Sequence, residues 1–570
     1  IVVNLLPASA EMLGRSNMPL LTATATATPT PTFTPTPEGQ SQFLPTPTLL
    51  GQLQLLDARN VSNQVQRTVV TPIPAGVIIS PIAMTAVATP LATATMIISA
   101  DVRVSINVND VIGEISQGIY GLSEPPEGMI DTLRPSGISL GGNNSVRYNW
   151  RAGNYWNSAR DYEWRNGTYG KEGMYADQFL QQAMDNNIAS RLTIPTLGWV
   201  AKDWWSCSFP DEDGNCQTID HYTDCNNPIL VADPYATSIE STPDDIREWM
   251  QYIKAQNLAV TYAAMGNEPE LYGFSHYDVH PKCTTFQEIL DGQINYAQAV
   301  KDVLPDTKLV GPATCCWHFY WQSAAGLEDK AKHGYQDFLP WFLSQLQQYE
   351  QENGTRLLDV LDIHYYPEGL YEIKTEDENE EIAAQRIRSV RSLWDPTYVD
   401  ESWVNEPVRL LPRMKELIDT YYPGTAFGIS EWNFGNDVTM GGAIALADAL
   451  AQFGIHDVEY AYYWRYPDWD TPGYNAFRMF TNFDWQGGNF GDLAILARSD
   501  DEMVTTYAAL DRKTGDLHIL LLNKYRTEAQ SVAIELDNFK TKLVANQFYY
   551  DETTPAGIEW RLLEVGENTV

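Results

Sequence analysis

Two hydrophobic patterns alternate along the chain from about residue 113 to residue 495. Short apolar runs end abruptly in polar residues. Between them lie stretches whose apolar positions recur every three or four residues. The runs are "GIYGL" (118–122), "GISLGG" (137–142), "SRLTIPTLGW" (190–199), "LAVTYAAMGN" (258–267), "TKLVGPA" (307–313), "LLDVLDIHYYP" (357–367), "AFGISEWNF" (426–434) and "VEYAYYWRY" (458–466). An apolar run bounded by turn residues predicts a strand covered on both faces. The longer-period stretches, such as "DDIREWMQYIKAQN", "TFQEILDGQINYAQAVKDVL" and "VRLLPRMKELIDTYY", predict amphipathic helices. Strand and helix alternating in this way predict an α/β chain with a (β/α)8 TIM barrel over residues 113–495.

The pattern changes on either side. Residues 496–570 contain strands joined by turns without helices, including "SVAIELDN", "TKLVANQFYYD" and "IEWRLLEV". They predict an accessory β-sandwich domain. "MIISADVRVSINVND" alternates apolar and polar positions, so residues 99–112 are expected to form an N-terminal strand joining that sandwich. Residues 22–39, "TATATATPTPTFTPTPEG", are low-complexity Thr/Pro. Proline fixes φ and removes a donor, so residues 1–98 are expected to be a disordered linker or stalk to an upstream domain. Residues 68–100 are uncharged, but Pro72, Pro74, Pro81 and Pro90 argue against a membrane helix.

Composition narrows the function. Hydrophobic residues are 44% of 570, enough for a large core. The net charge of −37 argues against nucleic acid or an anionic membrane as a partner. The 17 Trp and 31 Tyr suit a cleft that stacks sugars. Six cysteines lack zinc spacing, and three fall in "CSFPDEDGNCQTIDHYTDC". They read as loop disulfides of a secreted or cell-surface protein, with the pairing left open. The first residue is Ile, which fits a processed product or a fragment with an export signal upstream.

Candidate chemistry sits at strand ends. Glu268, in "AMGNEPEL", ends the fourth run, and Glu431, in "GISEWNFG", ends the seventh. In a barrel both would face the C-terminal mouth, where active sites form. Two carboxylates across a cleft are what glycoside hydrolysis requires. Pro269 would stiffen the exit turn, and Asn267 could bind a sugar hydroxyl. Further substrate-binding candidates are Asn143, Arg147 and Trp150 after the second strand, and His364 and Tyr366 at the end of the sixth. Trp394, Trp403, Trp432 and Trp464 are stacking candidates. His276 and His280, in "SHYDVHP", lack the acidic companion of a zinc motif and read as a structural loop, so no metal ligands are assigned. "DEDGN" (211–215) is a thin calcium-loop candidate.

Over residues 110–530 the chain resembles glycoside hydrolase family 44, the endo-β-1,4-glucanases and xyloglucanases. The resemblance rests on "LGGNNSVRYNW", "LGWVAKD", "GNEPELYGFSHYDVHP", "LLDVLDIHYYPEG", "IRSVRSLWDPTYVDESW", "YYPGTAFGISEWNFG" and "FRMFTNFDWQGGNFGD". It implies the barrel and sandwich already read from the pattern. It implies Glu268 as acid/base and Glu431 as nucleophile of a retaining mechanism on cellulose-type glucans or xyloglucan, with xylan and mannan as side activities. It further implies a structural calcium in some members and no cofactor for catalysis. Where many members have Thr-Glu-Tyr-Asn around the nucleophile, this chain has Ser430-Glu431-Trp432-Asn433. The alternatives are an exo-acting retaining β-xylosidase or arabinofuranosidase, and a non-catalytic carbohydrate-binding protein.

Overall fold

The computed structural model describes residues 2–7, 100–159, 164–168, 174–217, 225, 232–368 and 379–566. They belong to the compact unit made of Ile1–Ala23 and Ala100–Val570. The Thr/Pro segment, with the rest of residues 8–98 of the expected linker, lies outside the described residues.

Eight parallel strands close into a barrel: β1 (Gly121–Ser123), β2 (Gly137–Leu140), β3 (Ala189–Ile194), β4 (Tyr262–Met265), β5 (Lys308–Thr314), β6 (Val360–Tyr365), β7 (Ala426–Trp432) and β8 (Tyr460–Tyr463). Their order around the barrel follows the chain, and β8 closes onto β1. Each lies in or beside one of the eight apolar runs. Several of the helices start where side-chain oxygens satisfy free N–H groups. Thr242 and Asp245 form a reciprocal capping box at Pro243–Ala255, and Thr285 caps Phe286–Lys301. Ile246, Trp249, Met250 and Ile253 then share one buried face of the first of these helices and pack with Leu192 and Ala263 of the barrel wall.

Tyr262, Ala264, Val310, Val360, Tyr460 and Tyr462 form one buried cluster across the strands. Two of the strand glycines make room for the tyrosines. A Cβ on Gly428 would lie 2.5 Å from the Tyr460 ring, and one on Gly121 2.4 Å from the Tyr462 ring.

The second sheet has eight strands, in the order Val532–Asp537, Val102–Glu114, Leu493–Ser499, Val504–Leu510, Leu517–Asn523, Val2–Pro7, Thr541–Tyr549 and Glu559–Glu564. Ile534 and Val104 from one end share a core with Ala545 and Val565 from the other, so the sheet folds over on itself as a sandwich. The opposite face packs on the barrel's helices through Tyr507, Leu520 and Phe548.

Val2–Pro7 corrects an expectation. This stretch falls within the expected linker, yet it pairs antiparallel with Leu517–Asn523 on one side and Thr541–Tyr549 on the other. Val3, Asn4 and Leu5 are all buried, and Asn4 Nδ2 donates to His518 Nε2 at 2.7 Å. A six-residue segment looks coreless alone, because both its partners lie more than 500 residues away. Leu493–Ser499 also starts before the expected boundary at 495. Among the described residues no helix is long and apolar enough to cross a membrane.

Candidate active site

The exit of β4 is a tight corner. Gly266 has φ +83°, and a Cβ there would stand 2.6 Å from Tyr272 Oη and 2.7 Å from Thr196 Oγ1. Glu268 follows in the left-handed region at φ 45°, ψ 54°, which non-glycine residues seldom occupy. Pro269 then opens a 3-10 turn, Pro269–Leu271, for which its ring is already set. The Glu268 N–H donates to Ala313 O at the end of β5 at 2.9 Å. Strand, glycine, strained glutamate and proline together bring this carboxylate to the barrel rim.

Glu431 reaches the same rim from β7. Its register partner on β6 is His364. Side chains alternate along a strand, so Glu431 and Trp432 point opposite ways. Glu431 meets His364 and Tyr366. Trp432 instead packs edge-on against Phe453 and Tyr463, with centroids 5.0 and 4.9 Å away. His364 Nδ1 lies 2.9 Å from Glu268 Oε1 and 3.5 Å from Glu431 Oε2. Tyr366 Oη donates to Glu431 Oε2 at 2.8 Å. Glu268, His364 and Glu431 each present one ligand-type atom, and these lie within 4.8 Å of one another.

Burial sets the protonation of this group. It lifts the Glu431 carboxyl to about 7; the charge on Glu268 adds to the rise, while His364, the Tyr366 hydroxyl and Arg191 oppose it. Burial lowers His364, so its ring is neutral at pH 7. The tautomer then decides the direction of the bond to Glu268: Nδ1–H donates to the carboxylate, or a protonated Glu268 donates to Nδ1. Either proton state of Glu268 therefore has a partner.

Deeper in the barrel, Arg191 Nη2 donates to Asp362 Oδ2 at 2.8 Å, and Arg191 Nη1 to Ser139 Oγ at 3.2 Å. The other Asp362 oxygen accepts the Ser430 N–H at 2.9 Å, one residue before Glu431. This pair was missed in the sequence. The signal was there in the period of two: Val360, Asp362, His364 and Tyr366 occupy alternate positions on one face of β6 and its extension.

Other expected residues divide. Asn267 is buried and its Oδ1 accepts the Gly142 N–H at 3.2 Å, tying the exit of β4 to that of β2. The half-buried Trp464 lies against the same Gly142, where a Cβ would fall 2.6 Å from its ring. Asn143 is half-buried beside them, and its backbone engages the His276 ring. Trp403 is 54% exposed, and its Nε1 donates to Glu368 Oε2 at 3.1 Å, just beyond the end of β6. Trp394 is half-buried against the large core.

Three expectations are corrected. Arg147 does not line the mouth: it is fully buried, with Nη1 2.9 Å from both oxygens of Asp278 and Nη2 2.6 Å from Ser238 Oγ. A charge without water needs such partners, and they engage both of its terminal nitrogens. Trp150 packs beside Tyr252 of helix Pro243–Ala255, outside the barrel. Trp432 is buried in the layer between strands and helices, for the alternation reason given above.

The cysteines pair as Cys207–Cys216, Cys225–Cys283 and Cys315–Cys316. His276 is fully buried, and His280 Nε2 lies 2.5 Å from Glu288 Oε1. In the calcium-loop candidate, Asp211 accepts from its own turn, from the N–H groups of Asp213 and Asn215 at 3.0 and 2.7 Å.

Comparison with known proteins points to a family. The glycoside hydrolase family 44 model matches residues 155–369. Endoglucanase A of Paenibacillus lautus is 29% identical over 481 residues, covering 80% of this chain and 68% of that protein. These likenesses support glycoside hydrolase family 44. The solved structure of CelM2, a bifunctional glucanase-xylanase from a metagenome library, superposes with a TM-score of 0.76 at 29% identity, covering 82% of this chain and 96% of that one. A family 44 endoglucanase from Clostridium acetobutylium gives 0.70 at 25%, covering 82% and 96%. The family match spans β3 to β6 and thus contains Glu268, His364 and Tyr366; Glu431 lies beyond it.

Proposed function

We propose that this chain is a secreted, endo-acting, retaining glycoside hydrolase that cleaves internal β-1,4-glucosidic bonds of cellulose-type glucans or xyloglucan with its own side chains. One observation carries the mechanism: an oxygen of Glu268 and an oxygen of Glu431 lie within 4.8 Å of each other at one rim. Retaining enzymes hold their carboxyl groups about 5–5.5 Å apart, and inverting ones leave about 6.5–9.5 Å for a water. The relatives named endoglucanase and glucanase-xylanase support the substrate class.

The roles follow from the surroundings. Glu431 receives the Tyr366 hydroxyl, which favours its ionised form and opposes the effect of its burial. Glu431 attacks the anomeric carbon as the glycosidic C–O bond breaks, and Glu268 gives its proton to the departing oxygen. Water then attacks the glycosyl ester, Glu268 takes a proton from it, and Glu431 leaves as carboxylate. His364 can bond Glu268 in both of its states.

Viscosity loss of carboxymethyl cellulose, compared with release from an aryl xyloside, tests the endo reading. Rapid viscosity loss with little reducing sugar supports it; release from the xyloside alone supports an exo-xylosidase. Glu431→Gln should keep polysaccharide binding and abolish turnover. A wild type that binds and never turns over would instead be a binding protein.

A further inference from the structure

We propose that Glu270, two residues beyond the acid/base, is a positioning residue that holds Glu268 in its strained backbone conformation. The inference rests on the retaining reading above. Glu270 is 1% exposed, yet it carries a carboxyl. Its Oε1 accepts the backbone N–H of Cys315, just beyond the end of β5. In the opposite direction the Glu268 N–H donates to Ala313 O. Two bonds therefore clamp residues 268–270 to residues 313–315. Both Glu268 and Ala313, at φ 45° and 54°, are left-handed non-glycine residues. Such conformations persist only where the surroundings over-determine them. The clamp is what the surroundings supply.

An apolar residue at 270 would be easier to bury, but it would leave the Cys315 N–H without this acceptor. Burial, reinforced by the charge on Glu268, pushes the Glu270 carboxyl up to about 8. It is thus neutral at neutral pH and accepts the bond without placing a second negative charge beside Glu268.

Loss of the clamp should disturb proton delivery specifically. A sugar leaving group must be protonated as it departs; 2,4-dinitrophenolate need not be. A merely structural defect would lower the active fraction and reduce both substrates alike. The test compares kcat/KM on cellotetraose and on 2,4-dinitrophenyl β-cellobioside for wild type, Glu270→Ala and Glu270→Gln. General acid catalysis contributes about 100- to 10,000-fold, so partial misplacement in Glu270→Ala should cost about 10- to 100-fold on cellotetraose. It should cost less than about threefold on the activated substrate, and added azide should accelerate turnover of the latter. Glu270→Gln keeps an acceptor for Cys315 and should stay within about twofold of wild type on both. Parallel losses on the two substrates, or an unimpaired Glu270→Ala, would overturn the proposal. Wild-type turnover is read first: its absence on both substrates sinks the glycosidase reading and this one with it, whereas active wild type with parallel losses sinks this one alone.

Discussion

Tyr366 Oη donates to Glu431 Oε2 at 2.8 Å, so the hydroxyl stabilises the carboxylate over the acid. Burial has already lifted Glu431 to about 7, and the tyrosine is one of the groups opposing that rise. As the proposed nucleophile Glu431 must be ionised, so kcat/KM should fall as pH drops through about 7. Tyr366→Phe removes a bond to a charged group worth about 1.5–3 kcal/mol, and one pKa unit is about 1.4 kcal/mol. The acidic limb should therefore move up by about one unit or more. A pH–rate profile of Tyr366→Phe with an unmoved acidic limb would show that the hydroxyl does not govern this ionisation.

The Arg191–Asp362 pair makes a stability prediction. Both side chains are buried inside the barrel, and breaking such a pair strands a charge. Asp362→Ala should lower the unfolding free energy by about 3–5 kcal/mol, read from urea denaturation. The double substitution Arg191→Met with Asp362→Leu should recover part of this, because no unpaired charge remains. A single variant costing under about 1 kcal/mol would mean that water reaches the pair.

Glu270 predicts a pH-dependent stability difference. Its ordinary value is 4.5 and its folded value about 8. Between these the unfolded chain has lost the proton and the folded chain keeps it. The folded state binds more protons there, so stability falls as pH rises across that window and is flat outside it. Gln cannot titrate. The Tm of Glu270→Gln relative to wild type should therefore climb from about pH 4.5 to about pH 8 and then level off. Glu431 and Asp437, raised to about 7 and about 6, act in the same direction but remain in both proteins and largely cancel. A constant Tm difference across the range would mean that Glu270 ionises normally.

How far the sequence carried the reading depended on the range of the interactions. Barrel strands are short apolar runs covered on both faces, so their order and their polar ends could be read locally. Glu268 and Glu431 followed from that order. Trp432 was misassigned because residue type was weighed before strand alternation, which turns it away once Glu431 faces inward. Arg147 was misassigned because its partners Thr237, Ser238 and Asp278 lie 90 or more residues away. The strand Val2–Pro7 was missed for the same reason, since its neighbours stand at the other end of the chain.

Trp403 and Trp432 were both stacking candidates, and the structure separates them into a testable contrast. Trp403 is 54% exposed, and its indole N–H is fixed by Glu368 near the end of β6. Its ring offers an apolar face near the rim that holds both carboxylates. Trp403→Ala should raise KM for long glucans severalfold while leaving kcat on a short activated substrate and the Tm nearly unchanged. Trp432 is fully buried among Phe453, Tyr463 and Phe434. Truncating it leaves a cavity, and Trp432→Ala should cost about 3–5 kcal/mol of stability. Its effect on activity should then follow the folded fraction and be the same for long and short substrates. A Trp403→Ala enzyme with unaltered KM on polymer, or a stable Trp432→Ala enzyme defective only on polymer, would reverse the assignment.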